Sequence, residues 1–164
     1  MLTENTISLG TQFEYVFTKE DKVLQEFSHK VLNALSMIPN IQYRIQHIAH
    51  DFVSLPWKTK GYYKDYSAHI RTTIHSDQIQ LQFNTKRIDE IELWWMETKT
   101  KGQGMGTVLL NQVLDVADEM GIKITLCPIP QGDMSISTLR NWYSEFEFKG
   151  NKFNPYMTYK PQKI

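Results

Sequence analysis

Three glycines stand at alternate positions in Lys101-Gly102-Gln103-Gly104-Met105-Gly106, between a segment that alternates like a strand and one that repeats like a helix. Glycine lets successive backbone N–H groups converge without interference from a Cβ. A helix starting there adds a partial positive charge at its N-terminus. Together these make a cradle for an anion such as a pyrophosphate. A Walker-type loop requires Gly-Lys-Ser/Thr, and Gly106-Thr107-Val108 lacks the lysine. A dinucleotide fingerprint requires GxGxxG after the first strand of a doubly wound unit. Here the spacing is GxGxG, late in the chain, after what reads as an antiparallel meander. A plain turn between strand and helix is the remaining alternative.

Metal chemistry finds little support. His47 and His50 are three apart and could share a helix face, but no His, Cys or carboxylate cluster follows at ligand spacing. The lone Cys127 excludes a disulfide within the chain and a Cys-rich zinc site.

The elements that must position the glycines follow from periodicity. Phe13 to Phe17 reads as a strand, and Thr18 with Asp21 three residues later reads as a capping-box helix start. Apolar residues from Val23 to Ile38 recur at helical spacing, and Pro39-Asn40 stops them. Ile41, Ile45, Ile48, Ala49 and Phe52 predict a second helix or helical turn over 41–52. Residues 53 to 68, with Pro56, Gly61, Trp57, Tyr62, Tyr63 and Tyr66, read as an aromatic loop. His69 to Ile74 and Gln78 to Phe83 predict a hairpin. Ile88 to Met96 alternates, with Ile91, Leu93 and Trp95 on one face and Glu90, Glu92, Trp94 and Met96 on the other. After the glycines comes a helix over about 107–120, closed by Gly121, and then a strand over Ile122 to Cys127. This gives a strand–helix–strand unit around the glycines. Ser135 or Ser137 caps a last helix through Phe146, and Tyr156 to Tyr159 is a closing strand.

The chain's 164 residues suit one domain over 1–164, and 41% hydrophobic with 12% aromatic residues marks it as globular. Eighteen basic side chains balance eighteen acidic ones, which argues against a broad nucleic-acid surface. No basic-then-apolar leader and no window of about 18–20 apolar residues is seen, so a cytoplasmic protein without membrane contact is expected.

The order of elements and the local residues resemble the GNAT superfamily of N-acetyltransferases. That family's signature is Gln/Arg-x-x-Gly-x-Gly/Ala at the end of its fourth strand. Lys101 to Gly106 matches it with lysine at the first position, which keeps the charge and loses the guanidinium geometry. A second match is Asn141-Trp142-Tyr143-Ser144-Glu145-Phe146-Glu147-Phe148, where Tyr143 falls on the family's tyrosine. Glu147 replaces the family's glycine, so a different turn before Phe148 is expected. Ile136 falls where the family often has an asparagine. The resemblance covers Ile88 to Tyr159 and is topological before that.

The resemblance implies an α/β (α+β) fold whose central sheet is mostly antiparallel, with a parallel strand pair at the coenzyme site and flanking helices. It implies an acetyl-CoA-dependent acyltransferase acting on a primary amine, with no metal. The backbone of Lys101, Gly102, Gln103, Gly104, Met105, Gly106 and Thr107 would hold the pyrophosphate. Trp94, Trp95 and Met96 would flank the pantetheine arm as an added strand would. Glu90 or Glu92, or water, would relieve the amine of its proton, and Tyr143 would supply one to the leaving thiolate. The aromatic loop and Trp94 would border a small-molecule or protein amine. Many family members dimerise, so a homodimer is compatible with the resemblance. Lys101 and Glu147 leave open a non-catalytic acyl-CoA sensor or an interaction module on the same fold.

Overall fold

Thr18 sets the start of the first long helix by donating and accepting at once. Its hydroxyl accepts from the Asp21 backbone N–H at 3.1 Å, and its own N–H donates to the Asp21 carboxylate at 3.0 Å. This capping box opens α1 (Lys19–Leu35). Asp21 is also buried, and its second oxygen accepts from the Thr85 hydroxyl at 3.0 Å, tying the helix start to the sheet.

The computed structural model describes residues 6–8, 14–16, 18–38, 42–49, 70–99, 104–130 and 134–162. Two three-residue strands, β1 (Thr6–Ser8) and β2 (Glu14–Val16), pair antiparallel. The main sheet holds β3 (Arg44–Ala49), β4 (Ile70–His75), β5 (Ile79–Arg87), β6 (Glu90–Thr98), β7 (Lys123–Leu126) and β8 (Met157–Tyr159), in that spatial order. Neighbours run antiparallel except β6 and β7, which are parallel and joined through α2 (Met105–Met120). The last helix, α3 (Ile136–Glu145), starts at Ser135, whose hydroxyl accepts from the Thr138 N–H. The fold is thus mixed α/β, a six-stranded mixed sheet with one parallel pair and three helices among the described residues. The aromatic segment 53–68 lies outside those residues, as do Lys101, Gly102 and Gln103.

The core forms where α1 and α2 lie against the sheet. Leu24, Phe27, Val31 and Leu35 of α1 are fully buried, as are Leu109, Leu110 and Val113 of α2. Phe27 meets Phe83 of β5 edge-on with centroids 5.3 Å apart. Gly121 ends α2 in the left-handed conformation (φ 67°), and Ile122 then donates back to the Ala117 carbonyl at 2.9 Å. The turn delivers the chain directly into β7.

Two expectations are corrected here. Residues 44–49 form a strand, not part of a helix: Arg44 to Ala49 pair in unbroken register with His75 to Ile70. Isoleucines at 45 and 48 fit a helical repeat, but six cross-strand pairs outweigh so weak a local preference. His47 therefore stands on a strand, so the shared helix face fails, and His50 lies outside the described residues. The second correction concerns β6. Phe83 is opposite Leu93 and Gln82 is opposite Trp95, so Trp94 has no partner on β5. This β-bulge adds one residue to β6 and reverses its alternation beyond that point. Met96 now faces Leu81 and packs on the core, while Trp95 pairs with Gln82 on the other face.

Candidate functional site

The parallel pair β6–β7 is short. Pairing joins Glu90, Glu92 and the intervening Ile91 to Lys123, Thr125 and Ile124, and β6 runs on past its last partner. The bulge at Trp94 falls just beyond this point. Where the two strands part, a cavity of about 690 Å³ opens. A volume of this order suits a small-molecule site.

Each wall has a local cause. Leu93, Trp94, Trp95 and Met96 supply the β6 side, and Leu126 and Cys127 the β7 side. Gly104, Gly106 and Thr107 bring in the start of α2. Ser135, Thr138, Trp142 and Tyr143 bring in the start and one face of α3. Two helix N-termini therefore open on one space, and their partial charges are both positive.

The α2 terminus differs from that of α1. Its N-cap residue, Gly104, is left-handed (φ 73°), has no side chain to cap with, and no acidic residue follows in the first turn. The first backbone bond of the helix is Val108 N–H to the Gly104 carbonyl at 3.1 Å. The N–H groups of Met105, Gly106 and Thr107 precede it and have no intrahelical acceptor. A glycine suits position 104 because an L-residue there would be strained. At Gly106 a Cβ would sit 3.8 Å from the Trp142 ring, an ordinary contact, so that glycine keeps the space beside Trp142 open rather than avoiding a clash.

Tyr143 is 8% exposed, and its ring packs edge-on against Trp142 and Phe148 with centroids 4.9 and 5.5 Å away. Burial pushes its phenol up to about 12, so it keeps its proton at neutral pH. Among the described residues nothing hydrogen-bonds its hydroxyl.

The other expected site residues divide. Trp94, Trp95, Met96, Gly104, Gly106, Thr107 and Tyr143 come together around the cavity. Met105 packs against the core instead. Lys101, Gly102 and Gln103 lie outside the described residues. Glu90 and Glu92 stand on the strand leading into the cavity and are not part of its wall. Glu90 accepts from the Thr125 hydroxyl at 2.8 Å and pairs with Lys86 at 3.5 Å. Glu92 accepts from the Asn84 side-chain amide at 3.2 Å.

Glu147 takes a φ of 70°, the left-handed conformation that glycine would favour. Glutamate therefore holds a glycine-like backbone in the turn before Phe148. Sequence reading missed Trp142, Ser135 and Thr138 as wall residues. The serine cap was legible, but nothing in the local pattern shows that this cap opens toward α2.

Among the described residues no three His, Cys, Asp or Glu side chains are grouped to hold a metal. Among them too, no helix is long and apolar enough to cross a membrane. No family model matches the chain, and no curated protein matches it. Among solved structures, the crystal structure of the anti-CRISPR protein AcrVA5 is similar at 28% sequence identity, over 54% of this chain and 96% of that one, with a TM-score of 0.46.

Proposed function

We propose that the chain is a single-domain N-acetyltransferase of the GNAT superfamily, moving an acetyl group from acetyl-CoA to a primary amine. The observation that carries this reading is the uncapped, glycine-started N-terminus of α2 at the mouth of a cavity between two parting parallel strands. Orphan N–H donors and a positive helix end suit the coenzyme's pyrophosphate. The bulge leaves Trp94 without a partner on β5, and its peptide is suited to meet the pantetheine arm or the thioester carbonyl. Tyr143 keeps its proton at neutral pH and can present it to the departing sulfur.

Thermal unfolding with and without acetyl-CoA tests the reading. A ligand at about 100 times its Kd stabilises by about 2.7 kcal/mol. For a chain of this size that raises Tm by roughly 5–11 °C. An unchanged Tm at millimolar acetyl-CoA would contradict the proposal. Thiol release in the presence of an amine panel then separates catalysis from coenzyme binding alone.

A further inference from the structure

The sheet carries a transverse polar row beside the cavity. Arg71 on β4 is opposite Asn84 on β5, and Asn84 is opposite Glu92 on β6. Arg71 Nε–H donates to Asn84 Oδ1 at 3.1 Å, and Asn84 Nδ2–H donates to Glu92 Oε1 at 3.2 Å. Because Phe83 meets Phe27 of α1, its neighbour Asn84 points to the opposite face of the sheet. Asn84 is 7% exposed and fixes both charged partners. The Arg71 guanidinium also lies over the Trp94 ring, 4.7 Å from its centroid. Trp94 in turn forms part of the cavity wall, so the row runs up to the coenzyme site.

Two more charges stand nearby and cancel. Glu90 is engaged by Lys86 and by the Thr125 hydroxyl, both on the same oxygen. Lys123 of β7 stands in register with Glu90 on the same face, and beyond this group the Arg71 cation and the Glu92 anion are held apart by one neutral amide. Arg71 has committed its Nε–H, and among the described residues nothing accepts from its two terminal nitrogens. Likewise the second Glu92 oxygen has no described donor. Among the described residues this leaves one positive and one negative edge without a further partner, beside the Trp94 that lines the cavity.

We propose that the acceptor is a small amine that also carries an anionic group, a carboxylate or a phosphate, with Glu92 holding its nitrogen and Arg71 its anion. The inference rests on the acetyl-CoA reading above. A planar guanidinium edge is suited to two-point contact with either anion. A polyamine would instead place a second cation against Arg71. In the reaction the thioester C–S bond breaks and a C–N bond forms. The bound ammonium gives up two protons, one to solvent before it attacks and one to Glu92 as the C–N bond forms; Tyr143 donates a hydrogen bond to the departing sulfur, and the proton on Glu92 passes through solvent to the thiolate.

Matched acceptor pairs test this by thiol release: lysine against cadaverine, phenylalanine against phenethylamine, and O-phosphoethanolamine against ethanolamine. The acid-bearing member should be favoured roughly 10- to 100-fold in kcat/KM, the effect of one charge-assisted contact. The first two pairs report a carboxylate and the third a phosphate, so the preferred pair names the source. In Arg71→Leu that ratio should fall toward one, and Arg71→Lys should restore part of it through KM. The acetyl-CoA thermal shift of each variant checks that its fold and coenzyme site persist. Equal use of both members, a preference that survives Arg71→Leu, or acceptance of a peptide N-terminus while no acid-bearing amine reacts would overturn the inference and leave the coenzyme reading standing. A wild-type protein with no acetyl-CoA shift would overturn both.

Discussion

Replacing Tyr143 with phenylalanine separates a chemical role from a packing role. The ring of Tyr143 makes edge contacts with Trp142 and Phe148 that phenylalanine reproduces. Its hydroxyl has no described partner, so removing it should change stability by no more than about 0.5 kcal/mol. A chemical role predicts something different. At about 12, the phenol is a weaker acid than an ordinary thiol at about 8.5. Complete proton transfer to a free thiolate would then be uphill by about 5 kcal/mol. In the proposed reaction the hydroxyl would therefore act first as a hydrogen-bond donor to the charge growing on sulfur. Losing such a charge-assisted bond costs about 1.5–3 kcal/mol, or roughly 10- to 150-fold in kcat.

Thiol release measures kcat, and calorimetry measures acetyl-CoA affinity, which should stay within about twofold because the change is confined to one hydroxyl. The raised phenol also has a signature in stability. Its folded value lies above the ordinary 10, so its contribution is fully present below pH 10 and is lost as pH rises toward about 12. Tyr143→Phe should flatten that part of the alkaline stability curve. A kcat within twofold of wild type would refute the proton-donor assignment. A fall in Tm of more than about 4 °C, about 1–2 kcal/mol for this size, would refute the claim that the hydroxyl is structurally silent.

Two further substitutions probe backbone positions. Gly104→Glu places a side chain on a left-handed residue and a negative charge at the α2 terminus. It should cost about 1–2 kcal/mol in stability and abolish acetyl-CoA binding, and calorimetry showing full affinity would rule out the cradle. Glu147→Gly relieves the positive φ at the end of α3, offset by the entropy of a glycine in the unfolded chain. A net gain of about 0.5–1 kcal/mol, read as roughly 1–4 °C in Tm, is expected, and a decrease would show that the Glu147 side chain holds the turn.

Much of the scaffold was legible because its signals are local. Thr18 and Asp21 announce a helix start through their own side chains, and the structure closes that box. Gly121 announces a stop, because few other residues adopt its backbone without strain. Alternation from Ile91 to Leu93 gives β6 its buried face. Ser135 was legible as a cap for the same reason as Thr18. The candidate site was half legible: the glycines and Tyr143 carry recognisable spacing, whereas Trp142 and Thr138 do not.

The sequence by itself thus determined which segments are helices and strands wherever side-chain period and caps decide the matter, and it marked the junction at Gly104 as unusual. The tertiary structure decided what depends on a partner. Residues 44–49 are a strand because β4 offers six paired positions, a fact absent from their own spacing. Trp95 and Met96 exchange faces because β5 skips Trp94, and one added residue reverses every side chain beyond it. Glu147 adopts a glycine-like backbone because the packing of Phe148 against Tyr143 and Tyr159 fixes the path of the turn. The row from Arg71 to Glu92 spans three strands and 21 positions of sequence, so only their lateral pairing makes it a surface.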